Sequence, residues 1–186
     1  MAEVVELLKV RKAFDSALAA HRRGDHGTAL RLFRPLAEQG LVQAQYNLGL
    51  LCHEGQGGPR DYVAAALWYR KAAEQGVALA QAGLGLLYDE GLGVPQDFAE
   101  AAKWYRMAAE QGVALAQTGL AFMYARGDGV VQSDGLAQTW LYRAAAGERA
   151  ADGERSSLGL SALAIEAPRQ PSRRRAEGRR GMQPQH

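Results

Sequence analysis

The residues of this chain that could do chemistry are four histidines, one cysteine and a scatter of adjacent acids. No two of His21, His26, His53 and His186 have the i, i+4 spacing, with a glutamate between, that sets two imidazoles around zinc on one helix face. Cys52 stands alone, which excludes an intramolecular disulfide framework and any multi-cysteine zinc or iron–sulfur site. It is followed directly by His53, but successive helical residues diverge by about 100°, so the pair cannot act as nucleophile and base. No Ser-x-x-Lys, Gly-x-Ser-x-Gly or Gly-x-x-x-x-Gly-Lys string occurs, so serine acyl-enzyme and P-loop chemistry have no support. Adjacent acids such as Asp89-Glu90 lack the apolar enclosure that would raise a carboxyl pKa for acid catalysis. These residues imply no catalytic group, no cofactor, no metal and no small-molecule substrate.

What would position such residues is a repeat. The string AEQG occurs at 37–40, 73–76 and 109–112, and Trp68, Trp104 and Trp140 keep the same spacing of 36. So do the glycine pairs Gly55/Gly57, Gly91/Gly93 and Gly127/Gly129. A fixed period of this length is the signature of a solenoid. Within one unit, Ala80, Leu84, Leu87, Tyr88 and Gly91 lie on one face of a first helix. The loop GLGVPQD ends it, and Asp97 with Glu100 has the form of a capping box opening a second helix near Phe98. Phe98, Ala101, Ala102, Trp104, Tyr105 and Ala108 stripe that helix, and Gly112 stops it. Asp61 and Ser133 take the capping position in the neighbouring units. The Gly-x-Gly loops join two helices and follow no strand, so they are helix stops and not phosphate cradles.

The order Ala80, Leu84-Gly85, Tyr88, Gly91-Leu92-Gly93-Val94, Asp97, Ala101, Trp104-Tyr105 and Ala108-Ala109 resembles the Sel1-like repeat, a relative of the tetratricopeptide repeat. The resemblance implies an all-α, right-handed α–α superhelix and an adaptor that holds other proteins together. Three units are expected at 41–76, 77–112 and 113–147. Departures from the pattern are Cys52 in the place of Tyr88 and Tyr124, and Val131 in the place of the loop proline. Some members with two cysteines per repeat are linked to β-lactam binding or hydrolysis; this chain lacks those cysteines, and that activity stands only as the rival reading.

Outside the units, residues 1–40 read as a tetratricopeptide-like capping helix pair, with Val5, Leu8, Phe14, Ala17 and Leu18 striping the first helix and Gly24-Asp25 breaking to the second. Residues 148–167 read as a C-terminal capping helix, and 168–186 as a disordered tail. The tail holds six arginines against Glu177, a charge of +5, which leaves −3 on the body from a total of +2. Such a tail could attract nucleic acid, but no aromatic is interleaved for base stacking, and nucleic acid is not the expected partner. No run approaches the ~20 apolar residues of a membrane span. Charges among the first dozen residues break any secretory signal core, so the chain reads as cytoplasmic, with a periplasmic or secreted location the alternative if a native signal peptide is missing here.

The expected binding face is the side of each first helix away from its apolar stripe. It comprises Tyr46, Asn47, Leu50, His53 and Glu54 in the first unit, Ala82, Gly83, Leu86, Asp89 and Glu90 in the second, and Thr118, Gly119, Phe122, Ala125 and Arg126 in the third. Leu50, Leu86 and Phe122 would form an apolar track flanked by acids and by Arg126, suited to a peptide with apolar anchors and some positive charge.

Overall fold

The computed structural model describes residues 2–158, with side chains over 5–147. They form eight helices and no strand: α1 Ala2–Arg22, α2 His26–Glu38, α3 Val42–Glu54, α4 Tyr62–Glu74, α5 Ala78–Glu90, α6 Phe98–Glu110, α7 Ala114–Arg126 and α8 Asp134–Leu158. The pairs α3/α4, α5/α6 and α7/α8 are the three units of an α-solenoid, and α1/α2 precedes them.

Side chains start the second helix of each pair. Asp25 accepts from the Thr28 amide at 3.1 Å, Asp61 from Ala64 at 2.9 Å, Asp97 from Ala99 and Glu100 at 2.9 and 3.0 Å, and the Ser133 hydroxyl from Leu136 at 3.3 Å. Each satisfies an otherwise orphaned helix amide, a contribution of about 1 kcal/mol. The capping box forms only by half. The Glu100 carboxylate binds Lys103 at 3.1 Å, while the Asp97 amide donates to the Tyr88 carbonyl at 3.0 Å. The Asp61 and Ser133 amides donate in the same way to Cys52 and Tyr124, so the first helix supplies the acceptor that a box would have supplied.

The stops explain the one helix of unusual length. Gly40, Gly76 and Gly112 turn the chain out of α2, α4 and α6 with φ of 91°, 89° and 90°, a conformation that costs an L-residue about 1–2 kcal/mol. The corresponding residue of the third unit is Glu148. The stop is missing, and α8 runs on to 25 residues where α4 and α6 have 13. This corrects the expected end at Gly147: residues 148–158 prolong α8 instead of starting a separate capping helix. Residues 159–167 of that expected helix, and the tail 168–186, lie outside the described residues.

Between units the same contacts recur. The Tyr69 ring lies between Gly49 and Gly83, and the Tyr105 ring between Gly85 and Gly119; a Cβ on any of these glycines would come within 2.7–3.0 Å of a ring carbon. Gly93 brings its loop against the backbone of Tyr62 in the preceding unit, and Gly129 does so at Phe98, so closely that a Cβ would overlap the carbonyl. Fully buried Leu48, Leu51, Leu84, Leu87 and Leu120 fill the core, each contributing about 1.5–3 kcal/mol. Buried glutamines tie the units in series: Gln45, Gln81 and Gln117 donate to the carbonyls of Ala37, Ala73 and Ala109 at 3.2, 3.1 and 3.0 Å. Gln75 donates to Gln45 and Gln111 to Gln81. Gly147 holds the next such position, and the Gln117 side-chain oxygen is left without a partner.

The first helices crowd together, since α3 also meets α5 and α5 meets α7. They line the inner side of the array. The apolar stripe expected on α1 holds for buried Ala17 and half-buried Phe14 and Leu18, but Val5 and Leu8 are 51% and 60% exposed. At 21 residues against 13, α1 overhangs α2, and its first turns have nothing to pack on.

Candidate partner-binding face

On α3, α5 and α7 the direction away from the core is set by the buried residues: Ala44, Gln45, Leu48, Gly49 and Leu51 on α3 and their counterparts on the other two. Opposite them, at helical spacings of four, three and four, run Gln43, Asn47, Leu50 and Glu54, then Leu79, Gly83, Leu86 and Glu90, then Leu115, Gly119, Phe122 and Arg126. Glu54, Glu90 and Arg126 are exposed at the ends of these stripes.

The expected apolar track is not as drawn. Leu50 and Leu86 are half-buried; Leu50 packs on the cluster that contains Ala80, Leu84 and Leu87 of α5, and Leu86 on the one that contains Ala116 and Leu120 of α7. Phe122 is 51% exposed, with no further first helix packed on it among the described residues, and Arg126 lies over its ring at 5.8 Å. The exposed apolar residues that sequence reasoning missed are Leu79 and Leu115, at 50% and 58%. Their place four residues before Gly83 and Gly119 was the signal.

The other expected residues are split between face and junction. Ala82 is buried, and Gly83 and Gly119 meet tyrosine rings, so these three serve packing. Half-buried Asn47 donates to the Gln43 carbonyl at 2.6 Å, Thr118 is half-buried, and Ala125 is exposed. Tyr46 stacks on Tyr69 with centroids 6.1 Å apart, and burial pushes its hydroxyl pKa up. His53 sits edge-on to Tyr62 and Tyr69, its Nδ1 3.4 Å from the Tyr69 hydroxyl, and burial lowers its pKa. Asp89 is half-buried in the equivalent place of the second unit. This corrects the expectation that Asp89-Glu90 lack enclosure: the turn of α5 toward the neighbouring unit half-buries Asp89, and burial and the charge of Asp128 raise its pKa, against an opposing pull from Arg126, while Glu90 stays exposed. Cys52 is half-buried between two core clusters with its pKa raised by burial, as a packing residue in place of tyrosine. Among the described residues no three His, Cys, Asp or Glu side chains converge as metal ligands, and no helix is long and apolar enough to cross a membrane.

The face therefore offers apolar and charged groups on a rigid helical frame, without a reactive constellation. The family model described as Sel1 repeat matches residues 21–41, 42–77, 78–113 and 114–148, more than half of the chain. The chain belongs to the Sel1 repeat family. The match over 21–41 takes in α2, which the sequence reading placed in the tetratricopeptide-like pair. Sel1-repeat proteins generally mediate protein–protein interactions and are typically noncatalytic. Among solved structures, a Sel1 relative is c5321, a protective antigen of uropathogenic Escherichia coli strains displaying an SLR fold. It has 36% identity and a TM-score of 0.71 over 86% of this chain and 36% of its own. A Sel1 repeat protein from Oxalobacter formigenes has 34% identity and a TM-score of 0.68 over 74% of this chain and 58% of its own. The chain thus spans about a third and somewhat over half of the two relatives' lengths. No curated protein matches it.

Proposed function

We propose that the chain is a noncatalytic adaptor that binds a protein or peptide along the exposed positions of α3, α5 and α7. The observation that carries this is a contrast internal to the molecule. Packing positions repeat in all three units, as in Ala44, Ala80 and Ala116 or Leu48, Leu84 and Leu120, whereas exposed positions differ in one unit of the three, as in Gln43 against Leu79 and Leu115 or Arg126 against Glu54 and Glu90. A frame needs the first set alone, and a recognition surface uses the second. Leu79, Leu115 and Phe122 suit apolar anchors on the partner, and Glu54 and Glu90 suit positive charge.

Affinity capture from the source organism tests this with three proteins: the intact chain, Leu79→Asp/Leu115→Asp, and Glu54→Lys/Glu90→Lys. Circular dichroism confirms that each folds. A partner retained by the first and lost by the second, with salt-dependent weakening in the third, is the expected result. Equal recovery by all three would move binding to the loops or the outer helices and overturn the assignment.

A further inference from the structure

Among the described residues, four buried side-chain atoms lack a hydrogen-bond partner, and three of them belong to one corner of the molecule: His21 Nδ1, His26 Nδ1 and Gln56 Oε1. His21 is the penultimate residue of α1 and His26 the first of α2. The turn between them is tight, with the Gly24 amide donating to the His21 carbonyl at 2.9 Å and the Asp25 amide to the Ala20 carbonyl at 3.0 Å. Gln56 precedes Gly57, whose loop presses on the His26 carbonyl so closely that a Cβ there would come within 2.7 Å of it. Buried polar atoms left unpaired are costly, so three of them at one corner call for a reason.

The next unit shows how they arise. His53 and Tyr62 hold the same two places, penultimate in α3 and first in α4, and their ring centroids are 5.5 Å apart. There the His53 Nδ1 has the Tyr69 hydroxyl at 3.4 Å. The residue 36 positions before Tyr69 is Phe33, which has no hydroxyl, and the one 36 positions before Tyr62 is His26. These two differences take the partner from one imidazole and set a second imidazole beside it. The His21 and His26 centroids are 5.1 Å apart with the planes at 57°, the closest ring pair among the described residues. With metal–nitrogen bonds of about 2.0–2.1 Å, two imidazoles on one tetrahedral ion have their centroids about 5.2 Å apart.

We propose that His21 and His26 together hold one divalent cation of the zinc class at the α1–α2 turn, each through its Nδ1, with the Gln56 amide oxygen and water as the remaining donors. Imidazole nitrogens favour Zn2+, Ni2+ and Cu2+ over Mg2+ and Ca2+. Asp25, between the two histidines, is engaged in capping the Thr28 amide and is not a ligand. The spacing that marks a zinc pair along one helix misses these residues because they face each other across a turn between two helices. Bound there, the ion staples α1 to α2 beside the loop of the first unit.

Isothermal titration calorimetry of the full chain with ZnCl2 at about pH 7.5, repeated with MgCl2, tests this. The expected result is one Zn2+ per chain with a Kd of about 10 μM or tighter, no Mg2+ binding, and a Tm that climbs with zinc concentration as mass action requires. His21→Ala and His26→Phe each take the residue that a later unit carries in that place, Ala125 and Phe98, so the frame has a precedent for both. Each should weaken zinc binding by at least about 100-fold, the upper end of what losing a supporting group alone costs. His53→Ala, in the equivalent place of the first unit, should leave binding unchanged. Circular dichroism reads the helix content of each variant, and His26→Tyr, after Tyr62, replaces His26→Phe should that one lose helix. No zinc binding at ~1 mM, equal binding of Mg2+, or zinc binding that survives His21→Ala/His26→Phe and so belongs to His53, His186 or surface carboxylates would each overturn the proposal.

Discussion

Gly93→Ala isolates the steric demand that locks one unit to the next. Gly93 has φ of 69°, and an added Cβ would overlap the Tyr62 carbonyl, which is backbone and cannot swing aside. Gly76→Ala is the matched control: φ is 89°, with no atom within 4 Å of the added Cβ. The control carries only the left-handed penalty, about 1 kcal/mol at the lower end of its range. Gly93→Ala adds the 1–3 kcal/mol typical of overpacking against a fixed neighbour, for a total of roughly 2–4 kcal/mol. At about 2–4 °C per kcal/mol for a chain of this size, Tm should fall by about 2–4 °C for Gly76→Ala and about 5–15 °C for Gly93→Ala. Thermal unfolding followed at 222 nm reads both. Equal losses would show that the loop lifts off Tyr62 at no cost and that its close approach does not hold the units together.

Replacing Gln81 with Met should cost about 1 kcal/mol more in urea unfolding than replacing Gln117 with Met, because Gln81 also accepts from Gln111 while the Gln117 oxygen has no partner. Leu50→Asp should destabilise by about 2–4 kcal/mol, because it forces a charge into the junction with α5, whereas Leu79→Asp at a 50% exposed site should change stability by no more than ~0.5 kcal/mol. Asp89 has its folded pKa raised above the model-peptide value of 3.8, so its charged form opposes folding at neutral pH, and that opposition is relieved as pH falls through the folded pKa. Asp89→Asn should therefore raise Tm at pH 7 and leave a flatter profile below it. His53 has its folded pKa lowered from 6.5 by burial, so its contribution is present above that value and declines as pH falls below it; His53→Phe should lose that acid-side decline in stability between pH 7 and 5.

The frame of this molecule was open to reading because its determinants are local. The 36-residue period, the caps at Asp61, Asp97 and Ser133, and the glycine stops follow from short-range chemistry. The face was harder because exposure is set between units. Leu50 and Leu86 look solvent-facing on a helical wheel, yet the neighbouring first helix closes over them, and the same closure leaves Phe122 open at the end. Gly83 reads as a blank on the binding face until the Tyr69 ring is found against it. The length of α8 depends on Glu148: WLYRAAAG keeps the tryptophan register up to Gly147, one residue short of the position where Gly76 and Gly112 turn the chain.

The serial glutamine contacts have an evolutionary consequence. The bond from Gln81 to Ala73 and that from Gln117 to Ala109 are the same joint, as are Tyr69 on Gly83 and Tyr105 on Gly119. Excising residues 78–113 would bring Gln117 onto Ala73 and Gly119 onto Tyr69 with no new surface to invent. Unequal recombination within such a gene can therefore add or drop whole units while every joint stays native, and selection meets a change of reach and of recognition surface without first having to repair a core.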